Sequence, residues 1–262
     1  MQFTPILIPE LQNIVTLACG TNHVLALDTK GKVFVWGTGE QNQLGRRVVQ
    51  RTARNALKPA EIGFKRKKIT IIGSGDYHSF AVDDNDNVYS WGLNSFGQTG
   101  IAKAGANEDV VPAPTLVKGF ENIKVKQIQG GSHHTLACAE NGQVYVLGRV
   151  ESGEGGFDTS LLPEDEAFKG PLGAVRYLKK PVAIPGMQGD VVSSANDTCM
   201  VIAPNGQAFT WGFNENYQTG QGGVNTVHGA TLVDNSAVRG KKLIWGGVGG
   251  QFGLLGALPE KI

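Results

Sequence analysis

An all-β fold is predicted on three observations. Glycine supplies 37 of the 262 residues and falls in GG, SG and NG steps, which mark many tight turns. Between the turns lie short apolar runs such as "HVLALD", "KVFVWG" and "ITIIG", rich in β-branched and aromatic residues and too short for helices. The third observation is internal repetition, which dictates architecture more strongly than any local signal.

The repeat is written as "ACGTNHVLALDTKGKVFVWG" (18–37), "GSGDYHSFAVDDNDNVYSWG" (73–92), "GGSHHTLACAENGQVYVLG" (130–148) and "SANDTCMVIAPNGQAFTWG" (194–212), with a shortened fifth copy, "GVGGQFGLLG". Gly20, Gly75, Gly131, Ala195 and Gly249 fix the register, and His23, His78, His134, Thr198 and Phe252 follow three positions later. A short apolar run opens each unit ("PILIP", "PAEIG", "PTLVK", "PVAIP", "ATLVD"), and three further runs separated by turns complete it. Four strands per unit make a blade. Such a sheet has two apolar faces that it cannot bury alone, so blades pack radially around a channel and a β-propeller is expected. The units run approximately over residues 5–58, 59–113, 114–180, 181–229 and, in part, 230–262, all within one domain.

Composition narrows the function. The formal net charge is +1 and charged residues make up 18%, so bulk electrostatics gives no reason to expect a polyanion as the main partner. Cys19, Cys138 and Cys199 form no CxxC pair, which indicates neither a disulfide framework nor a zinc knuckle and suits a reducing compartment. No apolar run approaches the length of a spanning helix and no leader pattern opens the chain, so the protein reads as soluble and intracellular. No phosphate-binding loop, G-x-S-x-G elbow or H-E-x-x-H zinc motif is present, and the expectation is a regulator without covalent chemistry and without a cofactor or metal.

The combination of G-x-x-H, an NG-type turn, W-G, and the loops "GEQNQLG" (39–45), "NSFGQTG" (94–100) and "NENYQTG" (214–220) resembles the repeat of the regulator of chromosome condensation family, over essentially the whole chain. The resemblance implies a seven-bladed propeller, of which this sequence holds about four and a half blades, an incomplete ring corresponding to a C-terminal portion. It also implies guanine-nucleotide exchange on the nuclear Ran GTPase, which drives GTP loading for nucleocytoplasmic transport and spindle and nuclear organisation. The basic insert "GRRVVQRTARNALKP" (45–59), the long spacer at 149–181 and "GQFGLLG" are similar to the fungal exchange factors. The family's nucleotide-displacing wedge precedes the part matched here, so impaired exchange and two open apolar sheet edges are expected. Histones or chromatin are further implied partners and the nucleus the implied address, whereas a membrane or a small-molecule substrate is not. The alternative is a propeller scaffold that docks another protein without exchange.

His23, His78 and His134 recur in register, which points to a structural hydrogen bond from each imidazole to a neighbouring strand. Trp36, Trp91 and Trp211, each before the repeat glycine, are expected as wedges between blades. His133 is the intruder: the other units carry Asn22, Tyr77, Asp197 and Gln251 there. By the resemblance it matches the exchange-promoting histidine that touches the GTPase, and the competing reading is an inconsequential loop residue exposed on one face. Arg46 falls on a GTPase-contacting arginine of the family and Asn22 on a further contact position. Arg47, Arg51 and Arg54 read as a solvated loop, and "FKRKK" (64–68) as a basic loop or hairpin edge rather than a nuclear signal or a DNA patch.

Overall fold

In the computed structural model, residue 4 and residues 6–102 and 109–259 are described. Apart from a 3₁₀ helix at Gln50–Leu57, their regular structure is antiparallel sheet. The first blade orders Ile14–Cys19, His23–Asp28, Val33–Gly37 and Ala60–Ile62 from inner to outer strand. The second orders Ile69–Ser74, His78–Asp83, Val88–Leu93 and Val110–Leu116, and the fourth Val191–Ala195, Thr198–Ile202, Ala208–Gly212 and Val227–Leu232. A hairpin, Leu243–Val248 with Gly253–Ala257, follows. Successive sheets pack face to face in a propeller arrangement.

Sheet and sequence unit are offset by one strand. The apolar run that opens a unit pairs with the third strand of the sheet before it: Ala60–Ile62 joins Val33–Val35, and Val227–Leu232 joins Ala208–Gly212. The third blade departs further. Val125–Gly130, His134–Ala139, Gln143–Arg149 and Val175–Gln188 are joined by a fifth strand, Ala167–Lys169, so part of the long spacer is folded into an outer hairpin.

Both faces of each second strand are covered, because the cores lie between blades. Leu25, Val35 and Leu44 meet Ile69, Ile72 and Trp91; Phe80, Val82 and Val88 meet Val125, Ile128 and Leu147; Leu136, Val144 and Val146 meet Val192, Val201 and Trp211. Trp91 and Trp211 are fully buried, and Trp36 is only partly covered. Each buried indole lies against a glycine in the preceding blade's loop. Gly45 (φ +59°) and Gly156 (φ +74°) sit in the left-handed region, and a Cβ on either would come 2.8 Å from the tryptophan ring. At the two ends of the arc, Val15 and Leu17 on one side and Trp245, Phe252 and Leu254 on the other are exposed.

A polar clasp crosses each of the three seams between the four blades. His23 Nε2 lies 2.8 Å from Ser79 Oγ and His78 Nε2 lies 2.8 Å from Thr135 Oγ1. Ser79 donates to the Gln43 carbonyl at 3.1 Å and Thr135 to the Gln98 carbonyl at 2.9 Å. Each hydroxyl has one proton and gives it to the carbonyl, so the imidazole is the other donor and is fixed as the Nε2–H tautomer. Its Nδ1, buried with no hydrogen-bond partner among the described residues, is left as a bare lone pair and not as an orphaned N–H. At the third seam His134 Nε2 meets Ser194 Oγ at 2.7 Å and Cys199 Sγ at 3.0 Å. The tryptophans fasten to the same loops: Trp91 Nε1 donates to the Gln43 carbonyl and Trp211 Nε1 to the Glu154 carbonyl, both at 2.8 Å.

Thr135→Val keeps the side-chain shape but leaves the buried His78 N–H and the Gln98 carbonyl unmatched. The expected cost is about 2 kcal/mol, read as a lower urea midpoint at unchanged slope. Burial holds His23 at about 4, His78 at about 3 and His134 at about 4, each below the ordinary 6.5. The unfolded chain therefore takes up protons that the folded chain refuses between pH 6.5 and about 4. The stability these neutral imidazoles contribute is intact above pH 6.5 and falls on acidification, by at most about 1.4 kcal/mol per pH unit per imidazole. Urea titrations at pH 7 and pH 5 check the sign.

Candidate functional site

The clasps set the edge of the propeller from which the site grows. Where the first strand of each blade turns into the second, backbone bonds run from blade to blade: Thr21 N–H to Asp76 O at 3.1 Å, Asp76 N–H to Gly131 O at 3.1 Å and Ser132 N–H to Asn196 O at 2.7 Å. These bonds align Asn22, Tyr77, His133 and Asp197, one per blade, along a single face. In each blade the carbonyl of that residue accepts the N–H of the residue after the repeat glycine, from Thr38, Leu93, Arg149 and Phe213, at 2.8 to 2.9 Å. The long loops that leave the third strands emerge at the same end, so Arg46, Asn22 and His133 share this face with the second blade between them.

His133 is half-buried, not displayed in full as its loop position suggested, because Phe96 from the second blade's loop covers it. The two rings meet edge to face with centroids 5.1 Å apart. Phe96 is itself surrounded: the Arg149 and Arg176 guanidiniums lie 5.6 and 5.8 Å from its centroid, and Tyr177, stacked on Phe168, stands edge-on to it. The outer hairpin of the third blade thus reaches the rim of the site. Burial, and then the nearby Arg149 charge, lower the His133 pKa below the ordinary value, against the opposing pull of Asp197, Asp76 and Glu154. The imidazole is therefore neutral at pH 7. Its Nδ1 is buried without a partner, so the proton sits on Nε2, which no hydrogen bond engages among the described residues. His133 is a neutral donor presented by its face.

Beneath it lies a charged cluster. Glu154 is fully buried; Arg149 Nε reaches its Oε1 at 2.8 Å and Arg149 Nη2 reaches Asp197 Oδ1 at 2.5 Å. Ligand atoms of His134, Glu154 and Asp197 converge within 4.8 Å, a spacing a metal ion would accept. Arg149 pairs with both carboxylates, so each already has a cationic partner. Arg46 is partly buried, and its Nε and Nη2 are covered with no hydrogen-bond partner among the described residues, while Asn22, Arg47 and Arg54 are exposed. The Arg51 side chain lies outside the described residues. "FKRKK" belongs to the opposite edge, beside the Gly31 turn, where Lys67 pairs with Asp83 at 3.2 Å and Lys65 and Arg66 are exposed. Phe96, Arg149, Glu154 and Tyr177 went unnoticed in the sequence. The available signal was departure from register, since Glu154 stands where the other loops have Gln43, Gln98 and Gln218.

Residues 1–255 match the family model described as the RCC1-like domain. The chain is 39% identical over 254 residues to protein pim1 of Schizosaccharomyces pombe, a match covering 96% of this chain and 47% of that protein. It is 34% identical over 262 residues to guanine nucleotide exchange factor SRM1 of Saccharomyces cerevisiae, covering 98% and 54%. Among solved structures it resembles Prp20p from Saccharomyces cerevisiae, reported with its binding properties to Gsp1p and histones; the TM-score is 0.92 at 34% identity, over 100% of this chain and 60% of that one. The chain spans about half the length of the curated relatives it matches.

Arg149→Met strands the fully buried Glu154 carboxylate. The expected loss is about 3 to 5 kcal/mol, read from urea unfolding at pH 7, with part of it recovered in the double variant Arg149→Met, Glu154→Gln.

Proposed function

The chain belongs to the RCC1-like domain family, and from that membership we propose that it grips the Ran GTPase as part of a guanine-nucleotide exchange factor. The observation that carries the reading is His133, a residue outside the repeat that lies half-buried against Phe96 at the face it shares with Arg46. Neither side chain serves the clasps that hold the blades. A neutral imidazole donates one hydrogen bond without the cost of desolvating a charge, and an arginine cation suits a carboxylate on the partner. Asn22, exposed on that face, is a further contact. The similarity to SRM1, named an exchange factor, and to Prp20p, reported with its binding to Gsp1p and histones, supports both the activity and a nuclear, chromatin-associated setting.

Exchange needs no covalent step. A protein that binds the nucleotide-free GTPase more tightly than the loaded form lowers the GTPase's affinity for nucleotide by the same factor, by linkage. GDP leaves, and GTP in excess takes its place. In this reading His133 and Arg46 supply part of that differential affinity.

The test is the release of fluorescent GDP from Ran at increasing concentrations of the chain, together with its affinity for nucleotide-free Ran. His133→Ala is expected to weaken that affinity about tenfold or more, the scale of one buried interface contact, and to slow any accelerated release in proportion. Equal affinity and equal rates in parent and variant would overturn the reading of this site. Retention of Ran without acceleration would confine the chain's part to docking.

A further inference from the structure

Three of the four long loops carry glutamine at one position. Gln43, Gln98 and Gln218 each use the side-chain oxygen to accept the N–H two residues upstream, at 2.9 Å. In the third blade Glu154 makes the same turn, its Oε2 accepting the Ser152 N–H at 2.9 Å. The turn therefore requires an oxygen and not a charge. The charge has another match: Glu154 Oε1 takes Arg149 Nε, and Arg149 also departs from the repeat, where Thr38, Leu93 and Phe213 stand. Asp197, from the fourth blade, holds the far side of the guanidinium. Buried ion pairs are a poor means of gaining stability compared with apolar packing, so two coordinated departures that pair with each other call for a different account.

That account is His133. The Arg149 N–H donates to the His133 carbonyl at 2.8 Å, its guanidinium lies over Phe96, and Phe96 stands edge-on to the imidazole. We propose that Arg149 is a positioning residue for His133: held by Glu154 in its own blade and by Asp197 in the next, it fixes the Phe96 ring and through it the orientation in which the imidazole meets the partner. The proposal rests on the reading of His133 as a GTPase contact. Arg149, Glu154, Asp197 and Asp76 are the charged groups that act on the imidazole, with His134 beside it in sequence.

Glu154→Gln is the decisive variant, because it installs the residue the other three loops carry and removes only the charge. Two readouts are taken on the purified chain. In NMR, the nuclear Overhauser contact between the Phe96 and His133 rings is expected to weaken. The His133 titration midpoint is expected to fall, since a carboxylate that favours protonation is gone. In the Ran assay, affinity for the nucleotide-free GTPase is expected to drop about fivefold or more, and Arg149→Lys, which keeps the cation, is expected to retain more affinity than Arg149→Met. Unchanged affinity in Glu154→Gln, where His133→Ala weakens it, overturns the proposal. If His133→Ala itself has no effect, the functional reading fails, and the ring contact decides positioning alone: its loss in Glu154→Gln supports the role and its persistence overturns it.

Discussion

The structure depends on one carbonyl per seam. In the loop that leaves a blade's third strand, the backbone oxygen of Gln43, Gln98 or Glu154 points into the next blade, where polar hydrogens seek an acceptor. A buried donor left unmatched costs more than a matched one contributes, so blades that slide out of register lose several bonds together. This is how a fold whose cores are otherwise non-directional apolar contacts acquires a definite angular step between sheets. The seam is apolar for adhesion and polar for alignment.

The same constraint explains where function finds room. Clasp positions are occupied by imidazole, by hydroxyl or thiol, and at two of the three seams by indole, and these side chains are taken up with holding the seam. The residue just before the clasp position is held to its blade through its backbone carbonyl, and its side chain varies among asparagine, tyrosine, histidine and aspartate. A repeat protein specialises through such positions: the scaffold fixes where a side chain stands and leaves its chemistry open. In the third blade the specialisation spreads to Arg149 and Glu154, and the outer hairpin brings Arg176 and Tyr177 to the same point.

Much of this was legible in the sequence. Register glycines, the recurrent histidine and the W-G step announced the blades, because turns and buried clasps demand particular residues at fixed intervals. The odd histidine was found by subtraction from the repeat. What escaped notice shares a physical cause. Phe96 occupies a loop position filled elsewhere by Gln41, Ser152 and Asn216, and its importance comes from the neighbouring blade it leans on, which no local pattern records. Ala167–Lys169 pairs only because Val175–Gln188 is long enough to offer it an edge. The offset between sheet and sequence unit is likewise a property of pairing and not of composition.

The seams are not equally fastened. At the first and third, a tryptophan N–H joins the clasp on the loop carbonyl; at the second, Leu147 stands in that place, and the Gln98 carbonyl keeps only the Thr135 hydroxyl. A leucine fills the space but supplies no direction. The joint between the second and third blades thus has one directional bond fewer on its loop carbonyl, and it runs directly beneath Phe96 and His133, whose ring contact crosses it. The alignment that an indole supplies at the other seams falls here to rings on the outer face, Phe96 against His133 and Tyr177, so this seam and the candidate site are held by the same side chains.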